Sequence, residues 1–295
     1  MPSLLNLVKR PVDVGVTLLL WVYYILGYLI LFSPFYIVAF LTAADRETAF
    51  QRLNHRFHRS FFGLLQFITP GLTIKVDRRI RDIRSSVIVC NHLSYLDPIL
   101  LISLIEKQKT VVKSLFFQLP VFGWILKESG YIPSMMDKES SSLMMERVAG
   151  MRDYLAAGGN LFIFPEGHRS RNGRPGPLNK GAFMIAKRCR APVVVLSVKN
   201  TDRLFTPEKF FFNTCISNTI EVELISRIDP DESVRLKALP LLTCTSRGAG
   251  ERRETPQGKT GADPSDKLEE STPAQFRAIA HFAPFAAILT ASRMR

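Results

Sequence analysis

Residues 87–97 read V-I-V-C-N-H-L-S-Y-L-D, and Pro98 and a further apolar run follow them. Four consecutive apolar residues are typical of a strand buried on both faces, and the run after Pro98 favours a helix. We therefore predict a strand over 85–90 and a helix over 98–107. In α/β proteins, functional residues gather where strands end and helices begin, so the polar turn between these two elements is the first candidate site.

The same alternation continues along the chain on both sides of this turn. Short β-rich runs predict further strands at 72–76, 110–113, 161–164, 192–199 and 219–225. Apolar periodicity predicts further helices at 140–157 and 180–190. We expect an α/β fold, a single domain over 47–238 with a mixed central sheet flanked by helices.

An apolar segment precedes this domain, and we expect residues 1–46 to anchor the chain in a membrane. No residue from Val14 to Ala44 carries a charge. A continuous helix of that length would be about 46 Å long, against a hydrocarbon core of about 30 Å. Pro34 predicts a break, which leaves either one span over 14–33 or two short helices in a re-entrant hairpin. Basic residues flank both ends of the segment, and they favour the hairpin.

Residues 47–69 combine arginines with apolar residues at near-helical spacing, which suits a helix lying on an anionic membrane surface. His55 and His58 are three residues apart, but we expect an interfacial or packing role for them, because no third metal ligand is evident. Residues 239–295 predict an irregular or disordered tail, since 243–273 contain no aromatic residue. Within that tail, residues 276–289 regain apolar character and can form a short helix.

His92 and Asp97 carry the chemistry of the first motif. A histidine that leaves a strand beside a carboxylate suits a general base, with Asp97 orienting the ring. The alternative is structural: Asp97 before Pro98 can cap the helix, and Ser94 with Asp97 resembles a capping box. No G-x-S-x-G motif is present, which argues against an acyl-serine intermediate.

A second motif, L-F-I-F-P-E-G-H-R-S-R, occupies residues 161–171. Arg169 and Arg171 offer donors suited to a phosphate, and Gly167 lets the backbone approach a ligand closely. Glu166 can accept hydrogen bonds from a substrate hydroxyl or brace an arginine. The alternative is a solvated basic loop.

Together these motifs resemble the lysophospholipid and glycerol-phosphate acyltransferase superfamily, and in particular bacterial 1-acyl-glycerol-3-phosphate acyltransferases. The family's block N-H-x-S-x-x-D is matched by Asn91, His92, Ser94 and Asp97, and its F-P-E-G-T-R-S block by Phe164, Pro165, Glu166, Gly167, Arg169 and Ser170. A K-x-E-L-F-x-x-P-x-x-G block is matched by Lys113, Leu115, Phe116, Pro120 and Gly123. His168 and Ser114 depart from the pattern, where the family has threonine and an acidic residue.

The resemblance implies transfer of a fatty acyl group from acyl carrier protein or coenzyme A to the sn-2 hydroxyl of a lysophosphatidate. It implies that His92 is the base and Asp97 its partner, that Lys113 and Arg169 bind the phosphate, and that Glu166 and Gly167 shape the pocket. No metal or cofactor is expected. The alternatives are a different lysolipid acceptor, such as lyso-ornithine lipid, and a non-catalytic membrane-binding relative.

The formal net charge of +13 indicates an anionic partner. An anionic membrane, an acidic carrier protein or phosphorylated substrates fit this charge, whereas no nucleic-acid-binding motif is evident. The four cysteines show neither a C-x-x-C pair nor metal-ligand spacing, which indicates reduced thiols. We expect the chain at the inner membrane, with its catalytic domain on the cytoplasmic side.

Overall fold

A computed structural model describes residues 4–134, 138–167, 181–206 and 209–230. The chain divides into two compact units, residues 1–243 and 244–295, and every described residue belongs to the first. The predicted tail at 239–295, with its short helix at 276–289, lies outside the described residues, as do His168, Arg169 and Arg171.

The described residues contain a seven-stranded mixed sheet, as predicted. Its strands are β1 (Leu72–Val76), β2 (Val87–Cys90), β3 (Gln108–Val112), β4 (Ile132–Pro133), β5 (Asn160–Ile163), β6 (Val193–Lys199) and β7 (Asn218–Ile228). The order across the sheet is β1-β7-β6-β2-β5-β3-β4. Only β6 and β7 pair antiparallel among these strands, so β6, β2, β5, β3 and β4 all end at one edge. The sequence did not predict β4, which is two residues long.

Helices cover both faces of the sheet. They are α1 (Leu4–Leu26), α2 (Ser33–Thr42), α3 (Arg46–Ile68), α4 (Leu96–Leu104), α5 (Phe122–Glu128), α6 (Lys138–Ala149), α7 (Met151–Ala156), α8 (Gly181–Cys189) and α9 (Thr201–Leu204). Val87 and Val89 of β2 pack in a cluster with α7 and α8, while Ile88 and Cys90 face a cluster with α3 and α4. This double coverage explains why the β2 sequence is apolar at every position.

The helix predicted over 140–157 is two helices, α6 and α7. Gly150 lies between them with a φ of −78° and a ψ of 0°. Glycine weakens a helix interior, and the departure from helical ψ at this point divides the predicted element.

The expected break at Pro34 and the re-entrant hairpin are both wrong. Helix α1 continues without a break through a π-helical stretch at Gly27–Phe32 into α2, and the 34 residues from Lys9 to Thr42 form a candidate membrane span. A proline ring crowds the carbonyl four residues earlier, and the wider π turn just before Pro34 makes room for it. The Ser33 hydroxyl also donates to the Leu29 carbonyl at 2.7 Å, which satisfies an acceptor in this stretch. By length and composition this helix can cross a membrane.

The helix predicted over 47–69 is confirmed as α3, but its apolar side does not face outward. The Asp45 carboxylate accepts the Thr48 N–H at 3.0 Å and caps its start. The buried side of α3 includes Phe50, Phe57, Phe61, Phe62 and Leu65, which pack against the N-terminal helix and the sheet layer. Its apolar side is therefore part of the protein core, and its exposed side carries Arg52, Arg56 and Arg59.

Candidate active site

The turn after β2 is held to the neighbouring strand by Asn91. Its side-chain amide donates to the Val198 carbonyl at 2.8 Å, and its side-chain oxygen accepts the Val198 N–H, also at 2.8 Å. These two bonds extend the β2–β6 pairing by one residue through a side chain. The chain then leaves the sheet at its carboxyl edge, and His92 is the first residue beyond this attachment.

His92 and Asp97 are in direct contact, as predicted for an acid–base pair. Nδ1 of His92 lies 2.9 Å from Oδ2 of Asp97. The Asp97 side chain is fully buried, whereas 15% of the His92 side chain is exposed. An ionised carboxylate only accepts hydrogen bonds, so Nδ1 carries the proton, and the Nε2 lone pair is left for a reacting hydroxyl.

Asp97 accepts three further hydrogen bonds. The backbone N–H groups of Leu93 and Ser94 donate to Oδ2 at 2.6 and 2.7 Å, and the Thr201 hydroxyl donates to Oδ1 at 2.5 Å. A buried carboxylate is costly unless such donors compensate the lost hydration. Asp97 therefore organises the whole turn as well as the histidine ring.

The predicted capping role of Asp97 is only half right. The helix α4 starts at Leu96, so Asp97 and Pro98 lie within its first turn, and no side-chain hydrogen bond caps it at Tyr95. The Asp97 carboxylate does reach back to the Ser94 N–H, which is one of the two bonds of a capping box. The Ser94 hydroxyl accepts the Leu96 N–H at 3.4 Å and donates to the Phe205 carbonyl at 2.8 Å. The structural and chemical interpretations of Asp97 are thus compatible.

The second motif lies beside the first because β5 pairs with β2. The Phe164 ring stacks on the His92 ring, with 4.4 Å between centroids and 25° between planes. Glu166 is buried, and its Oε1 accepts the His92 N–H at 3.4 Å. Gly167 has a φ of +67°, a conformation that favours glycine, and its N–H closes the turn onto the Phe164 carbonyl. The Pro-Glu-Gly turn therefore supports the backbone and ring of His92.

Lys113 follows β3 at the same edge of the sheet, and its side chain is exposed. Strand β5 lies between β3 and β2, so Lys113 and His92 leave strands that are about 10 Å apart. The structure thus brings His92, Asp97, Glu166, Gly167 and Lys113 to one edge. Arg169 cannot be added to this group, because it lies outside the described residues.

Sequence reasoning missed Thr201 and the role of Phe164 as a ring partner. Thr201 follows β6, a neighbour of β2, and no motif links residue 201 to residue 97 in the sequence. The available signal was positional, since Asn200 and Thr201 are polar residues directly after an apolar strand, as in the two recognised motifs.

Of the interfacial and packing roles expected for His55 and His58, the contacts of both rings favour packing. Nδ1 of His55 bonds the Ile102 carbonyl at 2.9 Å, and Nδ1 of His58 bonds the Asn54 carbonyl at 2.7 Å. Burial lowers the pKa of His58 to about 4. No cluster of three or more potential metal ligands occurs among the residues that the structure describes.

Comparison with known proteins agrees with this geometry. A family model described as "Acyltransferase" matches residues 72–199, which include both motifs and all five parallel strands that end at the candidate site. Residues 72–199 are an acyltransferase-family domain. Its edge with His92 and Asp97 is thus the candidate active site of that domain.

Relatives of the acyltransferase domain carry one consistent name. A chloroplastic 1-acyl-sn-glycerol-3-phosphate acyltransferase of Brassica napus is 33% identical over 174 residues, or 57% of this chain and 50% of the relative. A chloroplastic protein of the same name from Arabidopsis thaliana is 35% identical over 120 residues, 40% of this chain and 33% of the relative. The chain therefore spans half or less of the length of these two relatives.

The fold has a solved counterpart. The crystal structure of the 1-acyl-sn-glycerophosphate acyltransferase PlsC from Thermotoga maritima superposes with a TM-score of 0.61 at 20% identity. The match covers 76% of this chain and 88% of that one. This similarity extends the shared fold beyond residues 72–199.

Proposed function

We propose that this chain transfers a fatty acyl group from acyl carrier protein or coenzyme A to the sn-2 hydroxyl of 1-acyl-glycerol-3-phosphate, forming phosphatidate. The observation that carries the proposal is the His92–Asp97 contact of 2.9 Å at the carboxyl edge of an acyltransferase-family domain. The names of the relatives from Brassica napus and Arabidopsis thaliana support this choice of acceptor.

His92 acts as the general base in this reaction. Its Nε2 takes the proton of the acceptor hydroxyl while the hydroxyl oxygen attacks the thioester carbonyl. When the tetrahedral intermediate collapses, the carbon–sulfur bond breaks and the thiolate leaves, taking the proton back from His92. Asp97 keeps its negative charge throughout and stabilises the transient imidazolium.

Lys113 and Arg169 are the proposed phosphate ligands, and Glu166 and Gly167 shape the pocket. The exposed position of Lys113 at the end of β3 supports this role, since a cation about two strands from the base can hold the phosphate while the sn-2 hydroxyl reaches His92. Glu166 also has a second proposed role. It accepts the His92 N–H and so links the pocket wall to the base.

An apolar groove between the N-terminal helix and α5 is the proposed place of an acyl chain. Its cavity volume is about 190 Å³, and its lining includes Tyr24, Tyr28, Pro120 and Phe122. Phe116, three residues after Lys113, contacts the Phe122 ring. An acyl chain in this groove would be shielded from water. The groove also lies next to the segment that carries Lys113, a proposed phosphate ligand.

The N-terminal helix is the proposed membrane contact. It is held to the domain near both ends: the Asp13 carboxylate accepts the Thr214 N–H at 2.7 Å, and the Tyr36 hydroxyl donates to Asn54 at 2.6 Å. Its opposite face exposes apolar side chains, including Leu18, Leu19, Val22, Ile25, Leu29 and Leu31. A helix held along a domain at both ends fits a position in the lipid surface, with the catalytic domain on the cytoplasmic side of the inner membrane.

The test is acyl transfer by the purified, detergent-solubilised chain, with labelled acyl carrier protein and labelled acyl coenzyme A as separate donors. The acceptors are 1-acyl-glycerol-3-phosphate and lyso-ornithine lipid, which lacks the phosphate. We expect phosphatidate formation that requires both His92 and the acceptor phosphate. Transfer to the phosphate-free acceptor alone would replace the proposed substrate, and no transfer from either donor would contradict the proposed activity.

A further inference from the structure

Thr201 occupies an unusual position at the end of β6. Asn200, which precedes it, has a φ of +64° in the left-handed region, so the chain turns sharply as it leaves the strand. Two side-chain bonds hold this turn: Asn200 Nδ2 donates to the Thr219 carbonyl at 2.7 Å, and Asn218 Nδ2 donates to the Asn200 carbonyl at 3.0 Å. The turn directs Thr201 inward, where it is fully buried.

The Thr201 hydroxyl meets the catalytic carboxylate on the side away from the histidine. It donates to Oδ1 of Asp97 at 2.5 Å, whereas the bonds from His92 and from the backbone of the turn converge on Oδ2. A carboxylate held through both oxygens cannot rotate about its Cβ–Cγ bond without breaking one of these contacts. The orientation of Asp97 therefore depends on a residue 104 positions further along the chain.

We propose that Thr201 is a positioning residue, which holds the Asp97 carboxylate so that the His92 ring keeps its Nε2 directed at the acceptor hydroxyl. The inference rests on the proposed function of the pair. Thr201 acts through Asp97 and is not proposed to touch either substrate. Its loss should therefore slow the chemical step without weakening the binding of donor or acceptor.

The kinetic test compares Thr201→Val, which is nearly isosteric but lacks the hydroxyl, with Thr201→Ser, which keeps it. We expect Thr201→Val to lower kcat about tenfold or more with KM within about twofold, and Thr201→Ser to keep kcat within about threefold of wild type. Thr69→Val is the matched control. Thr69 is also buried, but no partner for its hydroxyl occurs in the described part of the chain, so its replacement should leave kcat unchanged.

A spectroscopic readout tests the same proposal without turnover. In protein with ¹⁵N-labelled histidine, the Nδ1 proton of His92 bonded to Asp97 should give a downfield proton resonance that is missing in His92→Gln. We expect this resonance to shift or broaden in Thr201→Val and to be retained in Thr201→Ser and Thr69→Val.

Two results would overturn the proposal. One is a Thr201→Val variant with wild-type kcat and an unchanged His92 resonance. The other is equal impairment of the Val and Ser variants, which would indicate packing rather than hydrogen bonding. If the wild-type protein transfers no acyl group, the proposed function fails, and the resonance still decides whether Thr201 orients the pair.

Discussion

The turn of residues 91–97 and the polar cluster on α3 are both buried, but they differ in where their hydrogen bonds lead. The α3 polar cluster comprises Gln51, Asn54 and His58 with Tyr36, Gln108, Ser129 and Tyr131. In the turn, four hydrogen bonds converge on the Asp97 carboxylate, and one of them holds the partly exposed His92 ring. In the cluster, neutral amides and hydroxyls bond one another and the backbone.

The two regions also place their histidines differently. Nδ1 of His92 bonds a carboxylate, and its ring edge is partly exposed, whereas Nδ1 of His58 bonds a backbone carbonyl inside the core. A carboxylate partner can stabilise an imidazolium during a reaction, but a buried neutral surrounding opposes the charged ring. The same type of side chain is thus suited to chemistry in one region and to packing in the other. Changes in the turn should affect activity, and changes in the cluster should affect stability.

The largest expected effect is that of His92→Ala. Removal of the base should lower kcat by about 10⁴-fold, while the free energy of unfolding changes by less than about 1 kcal/mol, since the ring is partly exposed. The measurement is product formation beside chemical denaturation. His55→Ala is the matched control, because His55 bonds only the Ile102 carbonyl in the described contacts and should keep its activity. Substantial turnover by a folded His92→Ala protein would reject the base assignment.

Asp97→Asn should separate the effect of the carboxylate charge from the effect of the side chain's shape, because asparagine keeps the shape and loses the charge. The amide oxygen can still accept the bonds at Oδ2, and the Thr201 hydroxyl can rotate to accept from the new NH₂ group. We therefore expect a stability loss of about 1 kcal/mol or less, but a fall in kcat of about 10²–10³-fold, because the imidazolium loses its counter-charge. Parallel kinetics and denaturation check this. Full activity in Asp97→Asn would show that the turn needs only the shape of this residue.

Tyr131→Phe should have the opposite effect in the α3 polar cluster. Its hydroxyl accepts from Gln108 at 2.7 Å and from Asn54 at 3.3 Å, so the variant leaves buried donors with fewer partners. We expect a stability loss of about 1–3 kcal/mol with kcat unchanged at 25 °C. Tyr23→Phe, which removes an exposed bond to Ser60, should cost less. A large fall in kcat in folded Tyr131→Phe would show that the two regions are coupled.

The smallest effect concerns the pH dependence of stability. His58 has a folded pKa of about 4, below its ordinary value of 6.5 in the unfolded chain. Above pH 6.5 the histidine is neutral in both states, and as the pH falls from 6.5 towards 4 the unfolded state binds the proton first, so stability is lost. Between pH 7 and pH 5 the loss should be about 1–2 kcal/mol.

Denaturation of wild type and His58→Gln at both pH values checks this contribution. The variant should show a smaller decrease in stability between pH 7 and pH 5, whatever its stability at pH 7. An identical pH dependence in the two proteins would contradict the lowered pKa of His58.

Much of the fold was predictable because apolar runs report burial directly. All six predicted strands are present, with ends that differ by a few residues, since the strand boundaries depend on pairing partners that are distant in the chain. Helices α5 and α9 were not predicted, and two further errors in the helices had local physical causes. Pro34 was accommodated by a π-helical turn rather than a break, and Gly150 divided a helix whose periodicity continues across it.

At the candidate site, the sequence alone identified the candidate residues at the ends of β2, β3 and β5, because short motifs encode the local turns that position His92, Lys113, Glu166 and Gly167. Only the tertiary structure decided that the apolar side of α3 is core, that Phe164 stacks on His92 and that Thr201 holds Asp97. Those contacts depend on strand order and on the packing of distant segments. Local sequence patterns carry no record of which strands become neighbours, and the sheet order β6-β2-β5-β3 supplies that information.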